Sequence, residues 1–437
     1  MAGPMIDSVA MRTLSATFLA FALVTAASGL AAAQPTAFVG GRLIDGTGRV
    51  IDSGTVVVDG GKIAAVGPTA STAVPAGATR IDVTGKTLMP GLINAHGHVA
   101  ATVGLRADPS SYTRENLLRQ LRTYAQYGVT TVYSLGDDQA AGFVLRNEQS
   151  TGTVDRARLF LAGPVITGDT AEAARANANK AADLKPDLLK IRVDDNLGTG
   201  RKMPEAAWRA TIEQAHARGL RIAVHIYSLD DAKATLAAGA DFIAHSVRDQ
   251  PVDEAFINGL KSREACYCPT FTREISTFIY DATPSWVDDP FFVKGVDKDI
   301  PAQLSDPKRH EQIRASNAWK AGQQYKVGLE VAKRNLKTLV DRGVRIAFGT
   351  DTGPPARFQG FFEHLELEMM VDAGLTPMQA LVSATGDAAR CHRKTGELGT
   401  LAAGAAADVL ILGANPLDNI RNTRTIEQVW IAGKRAF

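Results

Sequence analysis

The chain has 437 residues and a net charge of +2, with 45% apolar and 22% charged residues. This length can bury a large core, and the composition is that of a globular protein rather than a disordered or fibrous one. Charges of both signs are scattered, without a basic stripe or interleaved aromatic residues, so we predict that nucleic acid is not a partner.

The first 33 residues are predicted to be a secretory signal peptide. Residues 16–33 are almost wholly apolar, and Ala31, Ala32 and Ala33 form a small-residue cleavage site before Gln34. We therefore expect an exported mature protein, periplasmic or secreted, without stable membrane insertion after cleavage. The alternative is an uncleaved anchor, because about 18 apolar residues are close to the lower limit for a membrane span.

Two β-rich segments flank the rest of the mature chain. Residues 34–87 carry TAFVGGRLID and GTVVVDGGKIAAVG, and residues 403–437 carry DVLILGANP and EQVWIAGKRAF. Short strand patterns bounded by turns are typical of small antiparallel sheets. We predict one small β-sandwich domain assembled from both termini.

Between residues 88 and 402, short β-branched runs alternate with longer helical patterns. The eight predicted strands are 88–96, 129–137, 158–166, 188–193, 221–227, 242–247, 266–271 and 344–351. The intervening segments carry helix signals, such as Pro204 and Gly219 around an amphipathic run, or apolar residues at helical spacing from Tyr325 to Leu339. Eight such units predict an α/β fold with a parallel (β/α)8, TIM-like barrel. A doubly wound open sheet is the alternative.

The three cysteines of the chain show no disulfide framework. Cys266 and Cys268 are two positions apart, and Cys391 is distant in sequence. Because the count is odd and the spacing is irregular, we expect small buried residues rather than a disulfide-stapled fold.

Six ionisable residues lie at the predicted strand ends, where barrels of this type carry their active sites. They are His96 and His98 on the first strand, Lys190 on the fourth, His225 on the fifth, His245 on the sixth and Asp351 on the eighth. Residues two apart on a strand share a face, so both histidines of the first strand can bind one ion, and Gly97 leaves room. A single histidine in a strand is more often a core residue, but six such residues on five strand ends indicate a metal site.

With these residues the chain resembles members of the amidohydrolase superfamily. The resemblance covers nearly all of the mature chain and includes VVVDGGKIAAVG, LMPGLINAHGHV, the strand-end residues above and LGTLAAGAAADVLILGANPLDNI. It implies that the four histidines and Asp351 are metal ligands or catalytic groups. A lysine at the end of strand four resembles the binuclear branch with prolidase-like and carboxypeptidase-like enzymes, in which that lysine is carbamylated and bridges two metal ions.

The chemistry of Lys190 agrees with this implication. An ammonium group has donors but no acceptor, so it cannot coordinate a cation. Reaction with CO2 would give an N6-carboxylated lysine with two oxygen ligands, and burial would favour that reaction by lowering the amine pKa. An unmodified lysine whose amine reaches solvent is the alternative.

These features predict a metal-dependent hydrolase that cleaves an amide or peptide bond. Two divalent ions, with zinc as first choice, would activate water, and Asp351 would act as general base and then general acid. Ser228 stands three residues after His225, where mononuclear deaminases resemble one another in carrying a glutamate, which counts against deamination. The remaining alternatives are hydrolysis of a lactone, a phosphotriester or an imidazolone-type cyclic amide, and a non-catalytic exported binding protein.

The expected substrate is a small molecule with a free carboxylate, such as a dipeptide or an N-acyl amino acid. If Lys190 and His225 face the metals, alternation turns Arg192 and Tyr227 toward the same side. A guanidinium can hold a carboxylate through two parallel hydrogen bonds, and the phenol can add a third. A structural ion pair of Arg192 with Asp194 or Asp195 is the alternative.

The segment 271–310 between strands seven and eight is rich in aromatic residues. Loops on this side of a barrel usually shape the pocket, so we expect a lid that contacts an apolar or aromatic group of the substrate. Packing on the protein's own barrel is the alternative. The sequence leaves a homo-oligomer open.

Overall fold

The computed structural model describes Met1 and residues 34–149, 155–198 and 200–437. Residues 34–437 form one structural unit. Residues 2–33 lie outside the described residues, so the signal peptide stays a prediction. Within the described ranges, none of the helices combines the length and the apolar composition that a membrane span needs.

Strands and helices alternate through most of the chain. The strands are β1 (Thr36–Ile44), β2 (Val50–Asp59), β3 (Lys62–Pro68), β4 (Thr79–Asp82), β5 (Thr87–Pro90), β6 (Leu92–Gly97), β7 (Thr102–Val103), β8 (Arg106–Ala107), β9 (Val129–Ser134), β10 (Arg158–Leu161), β11 (Leu189–Arg192), β12 (Ile222–His225), β13 (Phe242–Ala244), β14 (Cys266–Cys268), β15 (Val409–Leu412), β16 (Ile426–Ile431) and β17 (Lys434–Arg435). The helices are α1 (Arg114–Gln126), α2 (Ala140–Glu148), α3 (Ala171–Asp183), α4 (Glu205–Ala217), α5 (Leu229–Ala237), α6 (Glu254–Ser262), α7 (Phe271–Ile275), α8 (Pro290–Val293), α9 (Ile300–Leu304), α10 (Pro307–Ala315), α11 (Asn317–Asp341), α12 (Phe361–Asp372), α13 (Pro377–Ser383) and α14 (Gly386–Cys391).

Both ends of the described chain contribute to one eight-stranded sheet. Its order is β17-β16-β15-β5-β1-β2-β3, and β4 also pairs with β1. β1 is parallel to β4 over residues 36–39 and to β5 over residues 42–43, whereas β15 is antiparallel to β5. The two terminal segments thus meet in one sheet, and the sandwich arrangement of this domain stays a prediction.

The predicted first strand is divided between two sheets. Thr87–Pro90 pairs with β15 of the terminal sheet, whereas Leu92–Gly97 is parallel to β9. Gly91 lies between them, and a Cβ at this position would come within 2.1 Å of the Thr130 Oγ1 atom. The chain therefore passes from one sheet to the other at Gly91, a residue that tolerates this close approach. The sequence pattern predicted this change at residue 88, three residues earlier.

The central region has an α/β fold with parallel strands. Seven of the eight predicted strands form ladders, in the orders β10-β9-β6 and β11-β12-β13-β14. A single parallel bridge, between Ile166 and Ile191, links the two sets. The strands are shorter than predicted because each ladder ends where the chain turns away toward the next helix.

The eighth predicted strand, 344–351, does not form a ladder. It makes isolated parallel bridges, Ile346 with Tyr267 of β14, and Thr352, just beyond it, with Gly97 of β6. Backbone hydrogen bonds join it to both neighbours, for example from Ala347 N to the Tyr267 carbonyl oxygen (2.9 Å) and from Ala95 N to the Phe348 carbonyl oxygen (2.8 Å). Side chains add to them: the buried Glu363 carboxylate accepts hydrogen bonds from Thr350 Oγ1 (2.8 Å) and Thr352 Oγ1 (2.7 Å). The segment thus lies between β14 and β6 without regular pairing to either strand.

Helix α4 lies between the two predicted signals, with Pro204 as its N-cap and Gly219 two residues beyond its last residue. Ser228 is the N-cap of α5, where its Oγ accepts a hydrogen bond from Asp231 N at 3.1 Å. Helix α11 buries the predicted face, which includes Tyr325, Leu329, Ala332, Leu336 and Leu339. Position 228 therefore has a structural role here.

The expectation about the cysteines was wrong for two of the three. Cys266, at the start of β14, forms a disulfide bond with Cys391, at the end of α14, whereas Cys268 is a free, buried thiol. No pattern in the sequence predicts this pairing, because the partners are 125 residues apart and meet only when β14 and α14 pack together.

This disulfide is expected to contribute about 2–5 kcal/mol to the free energy of unfolding, because it closes a long loop of the unfolded chain. Cys391→Ala should lower the melting temperature and abolish its sensitivity to dithiothreitol, as followed by circular dichroism. Cys268→Ala is the matched control and should keep that sensitivity. A wild-type protein whose melting temperature ignores the reductant would contradict the prediction.

Candidate metal centre

All six strand-end residues line one cavity of about 550 Å3. His96 is the last residue but one of β6, and His98 follows that strand; Lys190 lies in β11, His225 ends β12, His245 follows β13, and Asp351 ends the eighth segment. The cavity therefore opens where the carboxyl ends of the parallel strands converge, as predicted.

His96, His98 and Asp351 form the tightest group of this cavity, with one ligand atom of each within 4.8 Å of the others. Asp351 Oδ1 is 2.8 Å from His98 Nε2 and 3.5 Å from His96 Nε2. His96 Nδ1 is buried and has no hydrogen-bond partner. A buried nitrogen without a partner costs free energy, so this histidine is poorly satisfied by the protein alone.

The contacts of His98 leave its Nε2 facing Asp351, where a proton or a metal ion can bind. Its Nδ1 is 3.2 Å from the Gly136 carbonyl oxygen, which can only accept, so Nδ1 carries a proton. In a neutral imidazole, Nε2 then presents its lone pair to the Asp351 carboxylate. Two acceptors at 2.8 Å repel unless a proton or a metal ion lies between them. The donor set therefore fits a divalent metal ion.

Gly97 is needed between the two histidines. A Cβ at this position would lie 2.9 Å from both Tyr124 Oη and Val132 Cγ2. The space beside Gly97 is thus taken by the helix and strand packed behind the site, and the room predicted for an ion between the two histidines stays a prediction.

Lys190 is buried beside these ligands, with 3% of the residue exposed. Its Nζ is 3.3 Å from His96 Nε2. Burial lowers the pKa of this amine to about 8, so roughly a tenth of it is neutral at pH 7. A neutral amine is the form that can react with CO2.

His225 and His245 lie on the other side of His96, with ring centroids 4.1 Å apart. His225 Nε2 is 2.6 Å from Asp194 Oδ2, and His245 Nδ1 is 2.7 Å from Thr270 Oγ1. Burial lowers the pKa of His225 to about 3 and that of His245 well below its usual range. Both rings are therefore neutral, and each has one nitrogen left for a metal ion.

The Asp194 contact also sets the tautomer of His225. Burial raises the pKa of Asp194, but His225, Arg192 and Arg248 outweigh it and lower the pKa below its usual range. The ionised carboxylate can only accept, so His225 Nε2 carries the proton and Nδ1 keeps its lone pair. Such a carboxylate–histidine pair is common behind metal ligands.

Asp351 is held from two sides. Its Oδ1 faces His98, while its Oδ2 accepts a hydrogen bond from Arg357 Nη1. The same guanidinium is held in place by a hydrogen bond from Arg357 Nε to Ser276 Oγ at 3.0 Å. Burial raises the pKa of Asp351, but Arg357, His96 and His98 outweigh it and lower the pKa well below its usual range. Asp351 is therefore a carboxylate with a fixed orientation.

Three residues at the centre have left-handed backbone conformations, which cost about 1–3 kcal/mol each in residues other than glycine. They are His245 (φ 73°), Thr270 (φ 51°) and Asp351 (φ 57°). Such strain persists only where the surrounding contacts require it, and here it turns ligand side chains toward the cavity.

Arg192 lines the cavity, whereas Tyr227 is not among the described residues that line it. Arg192 Nε is 3.5 Å from Asp194 Oδ1, so the alternative ion pair forms, and 44% of the arginine side chain is exposed. Tyr227 instead packs its ring on Arg248, whose Cζ lies 4.8 Å from the ring centroid. The substrate-binding role of both residues stays a prediction.

Sequence reasoning missed the supporting roles of Asp194, Thr270 and Arg357. Asp194 follows Lys190 and Arg192 at two-residue spacing, so alternation along the strand could have placed it on the same side. Thr270 and Arg357 lie in loops, where no periodicity predicts the direction of a side chain.

The aromatic residues of 271–310 do not form a lid over this cavity. Trp286, for example, packs on Phe292, Phe358 and Phe361, with ring centroids 4.7–6.0 Å apart. Packing on the protein's own core, the alternative in the sequence analysis, therefore holds for this cluster.

Comparison with known proteins agrees with this site. Residues 87–436 match the model of the amidohydrolase family. A match to the imidazolonepropionase of Haloarcula marismortui has 37% identity over 87 residues and spans only 20% of either chain.

The fold is similar to solved structures over 92% of this chain. A protein of Bifidobacterium longum assigned as a prolidase has a TM-score of 0.75 and 24% identity, with 95% of its chain covered. A Xaa-Pro dipeptidase with methionine in its active site has a TM-score of 0.72 and 21% identity, with 99% covered. The ochratoxinase of A. niger has a TM-score of 0.72 and 19% identity, with 95% covered. Together, the family match, the fold and the donor set show that the protein belongs to the amidohydrolase family, has the fold of its prolidase-like members and is a metal-dependent hydrolase of carbon–nitrogen bonds.

Proposed function

We propose that this protein hydrolyses the amide or peptide bond of a small substrate with a free carboxylate, such as a dipeptide or an N-acyl amino acid. One observation carries the proposal: the cavity of about 550 Å3 brings Arg192 together with the six strand-end residues. A cavity of this size suits a small molecule. The similarity in fold to a Xaa-Pro dipeptidase and an ochratoxinase supports the same choice.

We also propose that the eight central segments close into a (β/α)8 barrel. The single bridges Ile166–Ile191, Tyr267–Ile346 and Gly97–Thr352 support closure, because they join the two ladders to each other and to the eighth segment. Closure would bring all six strand-end residues to one rim.

Two divalent ions, most simply zinc, would be held by this site. His96, His98 and Asp351 would hold one ion, His225 and His245 the other, and an N6-carboxylated Lys190 would supply an oxygen to each. Bound ions would supply Lewis acidity, which polarises a scissile carbonyl and makes water a nucleophile at neutral pH.

Asp351 would be the proton carrier. Its carboxylate would accept a proton from the attacking water and donate it to the leaving nitrogen, as general base and then general acid. Arg357 Nη1 donates a hydrogen bond to Asp351 Oδ2, which keeps Asp351 Oδ1 directed toward the histidines. The same orientation of the carboxylate would serve both proton transfers.

Arg192 would bind the substrate carboxylate. Its Nε faces Asp194, so the guanidinium keeps its Nη groups for a ligand in the cavity. Tyr227 would need a rotation of its ring away from Arg248 to reach the same carboxylate.

A cyclic amide is the second candidate substrate. The short match to an imidazolonepropionase favours it. Hydrolysis of a panel of dipeptides, N-acyl amino acids, cyclic amides, lactones and phosphotriesters separates the two candidates.

The metal proposal predicts about two ions per chain by elemental analysis. Lys190→Ala should lower this content and reduce kcat/KM at least 100-fold, and short carboxylic acids should restore part of the activity by replacing the carbamate. Lys180→Ala, at an exposed position of α3, is the control. One tightly bound ion together with a fully active Lys190→Ala variant would contradict the proposal.

The Asp351→Asn variant separates the role of Asp351 in proton transfer from its role as a metal ligand. The variant should retain most of the metal, because the histidines remain, yet lose turnover, because an amide cannot carry the proton. Near-normal turnover would remove Asp351 from the mechanism.

Arg192→Lys keeps the charge but loses the planar fork of the guanidinium. KM for dipeptides and N-acyl amino acids should rise about tenfold, whereas C-terminally amidated analogues should be unaffected. Arg201→Lys, which changes an exposed ion pair with Asp169, is the matched control. Equal effects on both classes of substrate would show that Arg192 is not the anchor.

We further propose that the protein is exported. The disulfide between Cys266 and Cys391 supports export, because such bonds persist mainly outside the reducing cytosol. N-terminal sequencing of protein from the native host should find a mature N-terminus at or near Gln34. An intact segment before Ala20 would refute the signal peptide.

A further inference from the structure

A pocket of about 230 Å3 lies at the amino ends of the parallel strands, whereas the metal cavity lies at their carboxyl ends. Among its lining residues, Arg221 precedes β12, Asp241 precedes β13, and Arg345 is at the start of the eighth segment. We call it the arginine pocket, because five guanidinium groups line it: those of Arg221, Arg263, Arg345, Arg390 and Arg393.

The disulfide bond holds one wall of the arginine pocket. Cys391 ends α14 and lines the pocket, and its carbonyl oxygen accepts a hydrogen bond from Arg221 Nη1. Arg390 precedes this cysteine, and Arg393 follows it by two residues. The bond from Cys391 to Cys266 therefore fixes the backbone that carries both of these arginines against the start of β14.

Positive charge exceeds negative charge in the arginine pocket. Only two carboxylates of the described chain, Asp241 and Glu264, line it together with the five guanidinium groups. Asp241 Oδ2 is already 3.0 Å from His216 Nε2 and accepts a hydrogen bond from Ile222 N at 2.9 Å. Five positive charges therefore face two negative ones, and one of these two is already bonded elsewhere.

Three of the five guanidinium groups are unpaired. Arg345, Arg390 and Arg393 form neither a side-chain hydrogen bond nor an ion pair with any residue that the structure describes. The nearby Asp387 lies outside the lining and does not neutralise them. Burial raises the pKa of Asp387 and outweighs the effects of Arg345 and Arg390, which lower it, so this carboxylate is not held as the partner of either arginine.

The fourth guanidinium, that of Arg221, is subject to repulsion. Burial lowers its pKa, and the positive charge of Arg393 lowers it further, although Asp241 raises it. Charged groups that are partly removed from water without a counter-charge cost free energy. An anion in the pocket would offset both the burial of Arg221 and its repulsion by Arg393.

We propose that the arginine pocket binds a small multivalent oxyanion of the phosphate or sulfate class. Guanidinium groups bind the oxygen atoms of such anions through pairs of parallel hydrogen bonds, and several of them line this one pocket. A volume of about 230 Å3 suits one such group and is small for a larger organic ligand. The anion would join β12, the eighth segment and α14 at the end of the strands away from the metal site. The inference does not depend on which bond the enzyme hydrolyses.

Isothermal titration calorimetry with sodium sulfate tests this site in the metal-loaded protein, because sulfate is a weaker ligand of metal ions than phosphate is. Arg345→Gln and Arg390→Gln should each weaken the affinity for sulfate about tenfold, because each variant loses charge-assisted hydrogen bonds to the anion. Arg80→Gln and Arg334→Gln remove the same charge at exposed positions elsewhere and are the matched controls. The controls should bind sulfate as the wild type does.

The melting temperature separates a bound anion from a purely structural role of the arginines. Sulfate should raise the melting temperature of the wild type and of both controls above the value in sodium chloride of equal ionic strength, because a ligand of the folded state stabilises it. Arg345→Gln and Arg390→Gln should lose most of this increase. Sulfate also stabilises proteins in general by exclusion from their surface, and that effect would raise all five proteins equally.

A phosphate group can be free or can belong to a lipid head group, and sedimentation with vesicles distinguishes these sources. Sulfate binding by a protein that stays in solution with phosphatidylglycerol vesicles would assign the pocket to a free anion. Sulfate binding together with sedimentation that Arg345→Gln abolishes would assign it to the phosphate of a head group, with phosphatidylcholine vesicles as the control.

Two results would overturn the inference. The first is a wild-type protein that binds neither sulfate nor phosphate in the calorimeter. The second is an equal gain in melting temperature from sulfate in the wild type, in both pocket variants and in both controls, which would leave the arginines with a structural role alone.

Discussion

The convergence of His98 Nε2 and Asp351 Oδ1 is the constraint on which the rest of the site depends. The Gly136 carbonyl fixes a proton of His98 on Nδ1, so Nε2, which lies 2.8 Å from the carboxylate oxygen, is the nitrogen that can bind a metal ion. A proton or a metal ion between the two atoms stabilises this pair. The surrounding contacts hold both side chains in this orientation.

Those contacts restrict the conformations of the ligand residues and of their neighbours in the chain. Glu363 holds Thr350 and Thr352 on either side of Asp351, and Thr270 holds His245. The left-handed backbone of His245 and Asp351 shows that ligand geometry outweighs local backbone preference here. A preorganised site of this kind binds metal without a large rearrangement.

A buried network of charges extends outward from the metal centre. Asp194 bonds His225 and lies 4.0 Å from Arg248, Arg248 pairs with Glu274, and Glu274 pairs with Arg273. Buried ions are costly unless each has a partner, so removing one member would leave its neighbour uncompensated. The orientation of His225 therefore depends on the whole network and not on Asp194 alone.

The sequence by itself determined the α/β class, seven of the central strands and the six residues that line the metal cavity. These follow from local rules: hydrophobic periodicity marks the strands, and parallel strands bring their carboxyl ends to one edge. Only the tertiary structure decided the Cys266–Cys391 bond, the division of the first strand at Gly91, and the contacts of Tyr227 with Arg248. Each of these depends on which distant segments pack together. The same holds for Arg357, which lies in a loop where no repeat predicts the direction of a side chain, so its hydrogen bond to Asp351 is set by long-range packing.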